Sequence, residues 1–558
     1  MENEVTSPVE KDTKMAAPQN RTFSIKLWPP SENTRNMLVV RITDNLTTKS
    51  IFTEKYGSLS KEEAEENAKK IENMAFVSAN KHHQNEPDGD GGSAVQVYAK
   101  ECSKQILEVL KKGPAQKEDP EHMVSEEAVS HDTFFDISKG QRSFIEAEEA
   151  EEILKPLKAI GNSYTKVCFS NRSFGIESAR VAEPILSSVK EQLREVDLSD
   201  FIAGRPEPEA LEVIALFSTA LEGSNLRCLN LSNNALGEKG VRAFGPLLQS
   251  QSDLEELYLM NDGISVEAAK AVLELVPSTK KLKILHFHNN MTGDKGALPI
   301  SEIVKCSPLL DDFRCSSTRI GSSGGIALSE ALATCTNLKR LDLRDNMFGT
   351  EAGLVLSKAF SSLSHLTEVY LSYLNLEDDG SLSIVNSLKE SAPLLEVLDM
   401  AGNDITAEAA PAFAACLSSM QHLTKLNLAE NELKDEGIIY ISKAMDEGHV
   451  HLKEVDVSNN SIGRSGARVV AKTVIQKPAF RFLNINGNFI SDDGIDDVKH
   501  LFKEFPDKLG PLDENDPEGG QDDEDAEAET ETEAVASNGD EDEEELESRL
   551  KNLGVEEE

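Results

Sequence analysis

A leucine-type position that returns every 28 or 29 residues, from residue 164 to about residue 500, constrains this chain more than any other feature. Each return opens a segment such as NLRCLNLSNNALGEKG, in which apolar residues alternate before an amphipathic stretch. Alternation with period two predicts a strand, and the stretch after it predicts a helix. One such unit cannot bury its apolar side alone, so the units must stack. The pattern predicts twelve units, anchored at Tyr164, Leu193, Leu226, Leu254, Leu282, Leu310, Leu338, Leu366, Leu395, Leu423, Leu452 and Phe480.

The LxxLxLxxN pattern is identified as a leucine-rich repeat. It predicts an α/β fold over residues 161–505, a horseshoe solenoid with a parallel concave sheet and outer helices. An asparagine recurs eight residues after the anchor, and its amide can satisfy backbone groups where each strand turns away from its neighbours. These asparagines are interpreted as structural: Asn234, Asn290, Asn346, Asn403, Asn431, Asn460 and Asn488.

Two places depart from the repeat. The interval from Leu193 to Leu226 is 33 residues, and the extra residues fall in DFIAGRPEPEALEV around Arg205. An insertion in a solenoid loop is usually tolerated surface, so the residues alone leave the role of Arg205 open. In LYLMNDGIS the slot of the structural asparagine holds Asp262, and Asn261 precedes it. An exposed asparagine at a turn is most often only a turn residue.

The regions outside the array differ from it in composition. Residues 1–20 are predicted to be a disordered leader, residues 21–112 a small helical domain, and residues 113–160 an acidic linker followed by a helix that caps the array. Residues 506–558 are predicted to be a disordered acidic tail, because residues 511–558 hold 22 acidic and two basic residues, a net charge of 2 minus 22, or −20. The tail is either a solubilising segment or an attractor for a basic partner.

Charge and composition exclude several classes of function. The formal net charge of −42 disfavours nucleic acid and anionic lipid as direct partners. The chain has no apolar run of about 18 residues, so direct membrane insertion is not predicted, and the N-terminus lacks the apolar region of a signal sequence.

Seven cysteines without a CxxC pair argue against disulfides and a zinc site. The chain lacks a GxxxxGK[ST] phosphate loop, and His286 and His288, without further ligands nearby, are interpreted as exposed polar residues rather than a metal site.

The stretch LWPPSENTRNMLVVRI, with Trp28, Pro29 and Pro30, resembles the WPP domain of plant nuclear-envelope-associated proteins. Followed by 28-residue leucine-rich repeats and an acidic tail, it resembles the plant Ran GTPase-activating proteins. The resemblance implies a protein that is not itself an enzyme, binds Ran in its GTP form and accelerates GTP hydrolysis there. GTP and Mg belong to the partner, so no cofactor of its own is implied.

The resemblance also implies a location and a cellular role. The WPP triplet, Trp28, Pro29 and Pro30, would target a cytoplasmic protein to the outer nuclear envelope through membrane-anchored coiled-coil partners, and to mitotic structures in dividing cells. The protein would support nucleocytoplasmic transport and the Ran gradients at the nuclear envelope and in mitosis.

The family's functional residues carry over at two motifs. The GR motif of the early irregular repeat matches Gly204 and Arg205, which the resemblance implies are partner-binding. Asp262, where family members often have a second asparagine, is also predicted to bind the partner. The LYLxN motif matches residues 257–261. The resemblance implies that Asn261 orients the catalytic glutamine of Ran, which positions the attacking water without an arginine finger.

A second function remains open, a non-catalytic leucine-rich-repeat scaffold that binds a basic protein partner through its concave face. It predicts the same fold as a GTPase activator and differs in the roles of Asn261 and Arg205. An independent hydrolase is disfavoured, because no nucleophile, base and orienting group occur at matching spacing.

Overall fold

The computed structural model describes residues 28–30, 32–47, 61–85, 92–112, 133–140 and 142–516. The predicted leader, much of the predicted linker and the chain beyond residue 516 lie outside the described residues. The chain divides into two compact units, Met1–Glu127 and Ala128–Glu558. No described helix is long and apolar enough to cross a membrane.

The described residues of the first unit form three helices, in agreement with the predicted small helical domain, and this part is here called the three-helix unit. Its helices are α1 (Glu32–Thr47), α2 (Lys61–Asn85) and α3 (Gly92–Lys112). Small alanines at helical spacing, Ala64, Ala68, Ala75 and Ala79, form the buried stripe of α2 and let its neighbours pack closely. The helices share one apolar core.

A buried polar cluster joins the three helices. Arg35 of α1 donates two hydrogen bonds to the carboxylate of Glu72 in α2, at 2.6 and 2.8 Å. The hydroxyl of Tyr98 in α3 donates to the same carboxylate at 2.5 Å. Burial alone would raise the pKa of Glu72, but the hydrogen bonds from Arg35 and Tyr98 hold it below its ordinary value. A buried charge with this many partners fixes how the helices align.

The second unit contains a 13-stranded parallel sheet, and twelve of its strands begin two residues after the twelve predicted anchors. The predicted leucine-rich-repeat fold is therefore confirmed. The strands pair in register with the repeat, so that Leu257 lies between Leu229 and Leu285. The strands are β1 (Phe134–Asp136), β3 (Lys166–Cys168), β5 (Glu195–Asp197), β6 (Cys228–Asn230), β7 (Glu256–Tyr258), β8 (Ile284–His286), β9 (Asp312–Arg314), β10 (Arg340–Asp342), β11 (Glu368–Tyr370), β12 (Val397–Asp399), β13 (Lys425–Asn427), β14 (Glu454–Asp456) and β15 (Phe482–Asn484).

Helices follow the strands and bury the opposite side of the array. Their apolar faces pack on the central residue of each strand in one continuous core. The outer residues of each strand lie on the other side, here called the open face of the sheet. The helices are α4 (Ala147–Ile153), α5 (Lys155–Lys158), α6 (Ile176–Val189), α7 (Glu207–Leu221), α8 (Gly237–Ala243), α9 (Gly245–Gln249), α10 (Val266–Leu275), α11 (Gly293–Lys305), α12 (Ser322–Leu332), α13 (Gly349–Phe360), α14 (Glu377–Ser391), α15 (Ala410–Ser419), α16 (Lys434–Asp446), α17 (Arg464–Ile475) and α18 (Asp492–Leu501).

The recurring asparagines form a buried ladder, as the sequence predicts. In a typical step, Oδ1 of Asn290 accepts from the backbone N–H groups of Asp262 and Ile264, at 3.0 and 2.9 Å. Its amide nitrogen donates to the carbonyl oxygens of Leu259 and Phe287. Each asparagine thereby supplies donors and acceptors that neighbouring strands cannot provide where they diverge.

The N-terminal edge of the array contains strands that the sequence does not predict. Within the predicted linker, β1 adds a thirteenth strand beside β3. A second, two-stranded sheet pairs β2 (Ser143–Ile145) with β4 (Arg172–Phe174). The predicted capping helix is present as α4, and its neighbouring residues Ile145 and Leu154 are buried in the array's core.

The C-terminal edge corrects the predicted start of the acidic tail at residue 506. A 3₁₀-helix spans Pro506–Lys508, and Leu509 bridges to Leu483 of the last strand. Oδ1 of Asn515 accepts from the backbone of Asn488 at 2.9 Å, and so extends the ladder by one step. Residues 506–516 are therefore a C-terminal cap, because an open edge of a repeat array needs its backbone groups satisfied.

Candidate functional site on the rim of the repeat array

A left-handed turn follows each repeat strand, on the edge here called the rim. The residue seven positions after the anchor has φ between 52° and 69° in all twelve repeats. Asparagine and glycine tolerate this conformation better than other residues. The rim residues are Asn171, Asp200, Asn233, Asn261, Asn289, Ser317, Asp345, Tyr373, Gly402, Glu430, Asn459 and Gly487.

Asn261 lies exposed on this rim, at the place that its spacing from Leu254 predicts. Its amide nitrogen donates to Oδ1 of Asn233 at 3.0 Å, and its own Oδ1 accepts from Asn289 at 2.9 Å. Its backbone N–H donates to the carbonyl of His288 at 3.1 Å. An amide has two N–H donors and two acceptor lone pairs, so one of each remains after these contacts. The side chain is held in one orientation and faces solvent.

A cleft of about 540 Å³ opens beside Asn261 and runs along the next three repeats. Met291 and Met347 line it with 53% and 56% of their surfaces exposed. Arg319 and Asp345 add one charge of each sign. Exposed methionines adapt their shape to a partner surface, so the cleft can accept a polypeptide loop next to the Asn261 amide.

Asp262 is buried with 0% exposure, which corrects its predicted role as a partner-binding residue. It occupies the ladder slot of its repeat, and Oδ1 accepts from the backbone N–H of Asn234 at 2.8 Å. Oδ2 is buried without a hydrogen-bond partner. A side chain enclosed in this way cannot contact a partner protein.

Arg205 lies in the predicted insertion, but its side chain is only 13% exposed. It donates to the carbonyl oxygen of Ser173 at 2.9 Å, to Oγ of Ser173 at 3.2 Å and to Glu209 at 3.2 Å. Its guanidinium also lies 4.7 Å from the ring centroid of Phe144. Arg205 therefore joins α7 to the small sheet at the N-terminal edge, a structural role that the sequence does not predict.

Gly204 lies beside the Phe144 ring that Arg205 contacts. Its φ of +79° lies in the left-handed region, and a Cβ there would lie 3.0 Å from the ring of Phe144. A larger residue would both strain the backbone and displace the ring. Phe144 remains 54% exposed, so the edge presents an aromatic ring supported by Gly204 and Arg205.

The structure places Arg205 and Asn261 on the same edge of the sheet without bringing them into contact. Arg205 follows β5 and Asn261 follows β7, two strands away, which corresponds to roughly 10 Å at the sheet. The Arg205 guanidinium contacts the preceding repeat. A partner that touches both places must therefore span several repeats.

The open face of the sheet carries a charged cluster that the sequence does not predict. Asp312 accepts from Arg314 and Arg340, each at 3.0 Å, and contacts His286 at 3.1 Å. Burial would raise the pKa of Asp312, but His286 and Arg314 hold it below its usual range. Each repeat contributes one or two of these residues, so only the strand register shows that they meet.

His286, the last residue of β8, and His288, two residues after it, differ from their interpretation as exposed residues. His286 is 7% exposed and His288 is half-buried with Nδ1 unpaired. Burial, together with the neighbouring His286, lowers the pKa of His288. Among the described residues, no group of three or more His, Cys, Asp or Glu side chains is placed to hold a metal ion.

Trp28 belongs to the core of the three-helix unit, and its role in targeting stays a prediction. It is 3% exposed, with its ring 5.4 Å from those of Phe76 and Tyr98. Pro29 is exposed and Pro30 is half-buried, just before α1 begins. Exposed apolar side chains lie elsewhere on the unit, at Val40, Met74, Val77 and Val95.

Comparisons with known proteins define the class of this chain first. The WPP domain family matches residues 24–120. The leucine-rich-repeat family matches residues 224–245, 334–357, 391–414, 419–442 and 448–471. WPP domain-containing protein 1 of Arabidopsis thaliana is 37% identical over 110 residues, which cover 20% of this chain and 68% of the relative.

Two full-length relatives then define the family. RAN GTPase-activating protein 2 of Arabidopsis thaliana is 72% identical over 537 residues, covering 96% of this chain and 98% of the relative. RAN GTPase-activating protein 1 of the same plant is 62% identical over 501 residues, covering 90% and 92%. The chain belongs to the family of Ran GTPase-activating proteins.

Proposed function

We propose that this protein binds Ran in its GTP form and accelerates GTP hydrolysis, and that Asn261 supplies the amide that orients the catalytic glutamine of Ran. Family membership supports the activity. The observation that carries the residue assignment is the geometry of Asn261, an exposed amide held between two others beside an open cleft. Positioning a water through a glutamine needs a fixed group, since catalytic gain from orientation is lost when the group moves.

In this proposal, each of the two proteins supplies part of the site where GTP is hydrolysed. Ran supplies GTP, Mg and the glutamine, and this chain supplies a preorganised hydrogen-bonding group and a docking surface. The cleft along repeats four to seven receives a loop of Ran, and the edge around Phe144 and Arg205 provides a second contact. Two separated contacts fix the orientation of the partner on the rim.

Single-turnover GTP hydrolysis by Ran at saturating concentrations of this protein tests the proposal. Activation of Ras-like GTPases reaches on the order of 10⁵-fold, and Asn261→Ala is expected to remove most of it while leaving the melting temperature unchanged. Asn459→Ala is the matched control, because Asn459 is an exposed rim asparagine with the same left-handed backbone, far along the array. Asn289→Ala, which removes one support of the Asn261 amide, should have an intermediate effect.

The scaffold alternative predicts a different result. If Asn261→Ala accelerates hydrolysis as well as the wild type does, Asn261 is only a turn residue. If the wild type binds Ran without acceleration, the protein is a scaffold.

We propose further that the three-helix unit holds the protein at the outer nuclear envelope through membrane-anchored coiled-coil proteins. Met74 and Val77 lie three residues apart on α2 and are 48% and 60% exposed, which suits packing against another helix. A fluorescent fusion with Met74→Ser and Val77→Ser should become diffuse while the unit stays folded. A fusion that keeps its position at the envelope would exclude this face as the contact.

A further inference from the structure

The side chain in the ladder slot beside Asn261, Asp262, differs from the asparagines in the neighbouring slots by one atom, since an oxygen replaces the amide nitrogen. In the repeats on either side, the slot holds an asparagine whose amide nitrogen donates to two backbone carbonyl oxygens. Asn234 donates to Leu198 and Leu231 at 2.8 and 2.7 Å. Asn290 donates to Leu259 and Phe287 at 2.8 and 2.5 Å. The acceptors lie five residues after the anchors of the same repeat and the preceding one.

Asp262 reproduces half of this pattern. Its Oδ1 accepts from the backbone of Asn234, as the ladder amide oxygens do for their neighbours. Its Oδ2 therefore takes the place of the amide nitrogen, where the repeat supplies the carbonyl oxygens of Leu231 and Leu259 as acceptors. Oδ2 has no hydrogen-bond partner and is closed off from solvent. A carboxylate oxygen cannot donate, whereas a protonated carboxyl can.

We propose that Asp262 carries a proton on Oδ2 in the folded protein at neutral pH, and that this carboxylic acid acts as a ladder donor which holds the turn presenting Asn261. Asp262 is a positioning residue in this arrangement, since it acts through the backbone. Its effect on catalysis rests on the proposed function of Asn261, whereas its protonation does not.

The surroundings of the carboxyl favour the neutral form. The turns packed around it, residues 231–237, 259–265 and 287–293, contain one other titratable side chain, His288, whose pKa is lowered by burial. The helices after these turns bring Glu238, which pairs with Arg242 at the surface, Glu267, which is exposed, and Asp294, which accepts from the backbone N–H groups of Gly321 and Gly324. Burial raises the pKa of Asp262 well above its ordinary value, and the hydrogen bond from Asn234 offsets only part of that effect.

Protonation makes the stability of the array depend on pH. Because the folded-state pKa is raised above the unfolded value of about 3.9, the stabilising contribution is complete below that pH and is lost as the pH rises toward the folded pKa. Over this window folding takes up one proton, and the unfolding equilibrium constant increases up to about tenfold per pH unit. Asp262→Asn supplies a permanent donor and removes this dependence.

Denaturant unfolding of the full chain between pH 5 and 8 tests the protonation. The difference in stability between Asp262→Asn and the wild type should grow with pH, up to about tenfold per unit in the equilibrium constant. Asp345→Asn is the matched control, since it makes the same replacement at an exposed rim residue, and its slope should follow the wild type. The infrared band of a protonated carboxyl should be present in the wild type and in Asp345→Asn, and absent from Asp262→Asn. Parallel pH profiles for the wild type and Asp262→Asn would overturn the proposal.

Single-turnover hydrolysis by Ran tests the positioning role. Asp262→Ala should lower the acceleration at saturating protein, and Asp262→Asn, as the conservative replacement, should restore it. An Asp262→Ala protein that is folded and fully active would overturn the positioning role. If instead Asn261→Ala keeps full activity, the proposed function fails at that residue, while the pH profiles still decide whether Asp262 is protonated.

Discussion

The three-helix unit and the repeat array place their motif residues in opposite environments. Trp28, the first letter of the WPP motif, is 3% exposed between two aromatic rings. Asn261, the last letter of LYLMN, faces solvent on a turn that its repeat shares with eleven others. A recognisable motif therefore mixes residues that build the fold with residues that a partner can reach, and burial separates the two kinds.

The largest effect on stability is expected at Trp28. Trp28→Ala should destabilise the three-helix unit by roughly 3–5 kcal/mol, because it leaves a cavity beside Phe76 and Tyr98. Hydrogen exchange of the full chain should show loss of protection in α1, α2 and α3, with the repeat array unchanged. Val77→Ser is the exposed control on the same unit. Retained protection in Trp28→Ala would contradict the core assignment.

An intermediate effect is expected at Arg205, whose side chain is only 13% exposed although its motif was predicted to bind the partner. Arg205→Ala leaves the Ser173 carbonyl without its donor, at a cost of roughly 1–3 kcal/mol. The exchange of β4 and α7 should accelerate, and the activation of Ran should weaken with it. Arg205→Lys should not restore protection, since one ammonium cannot reproduce the planar set of donors. If Arg205→Ala weakens activation with unchanged exchange, the arginine acts by direct contact.

A smaller effect is expected at Gly204. Gly204→Ala puts a Cβ on a residue with φ of +79° and close to Phe144, for a cost of about 1 kcal/mol. The melting transition should fall slightly. Gly263→Ala is a useful comparison, because its φ of +62° carries the same backbone strain with no atom within 4 Å of the new Cβ. Equal losses in the two variants would show that the Phe144 contact contributes nothing.

The smallest effect on stability is expected from the acidic segment beyond the C-terminal cap. Residues 517–558 carry 19 acidic and two basic residues, a net charge of 2 minus 19, or −17. Their removal should leave the melting transition unchanged and slow association with Ran more at low salt than at high salt, since screening acts over about 8 Å at physiological ionic strength. Removal of residues 506–558 should also destabilise the last repeat. Equal slowing at both salt concentrations would exclude electrostatic attraction.

Periodic features of the sequence predicted the structure most completely. The anchors located twelve strands, and the asparagine spacing located the ladder, because each repeat imposes the same local packing. The non-periodic features were missed for the opposite reason. Phe134 and Ser143 lie in strands without a leucine anchor, and the cap at 506–516 has an acidic composition that resembles the tail.

The candidate site was predicted only in part. Asn261 is exposed where its spacing places it, since its position depends on a single repeat. The burial of Arg205 depends on Ser173, 32 residues earlier, and the charged cluster around Asp312 depends on three adjacent strands. Contacts between repeats involve side chains that no single repeat pattern specifies.

The left-handed corner described for every repeat also bears on how such an activator can change. The φ angle at these corners lies in the left-handed region that asparagine tolerates, and three neighbouring corners, at Asn233, Asn261 and Asn289, carry one. An exposed amide side chain can thus be placed at several corners along the array. In the proposed mechanism, the corner that acts depends on where the partner binds, so a shift of the docking contacts by one repeat would transfer the role of Asn261 to another corner of the same fold.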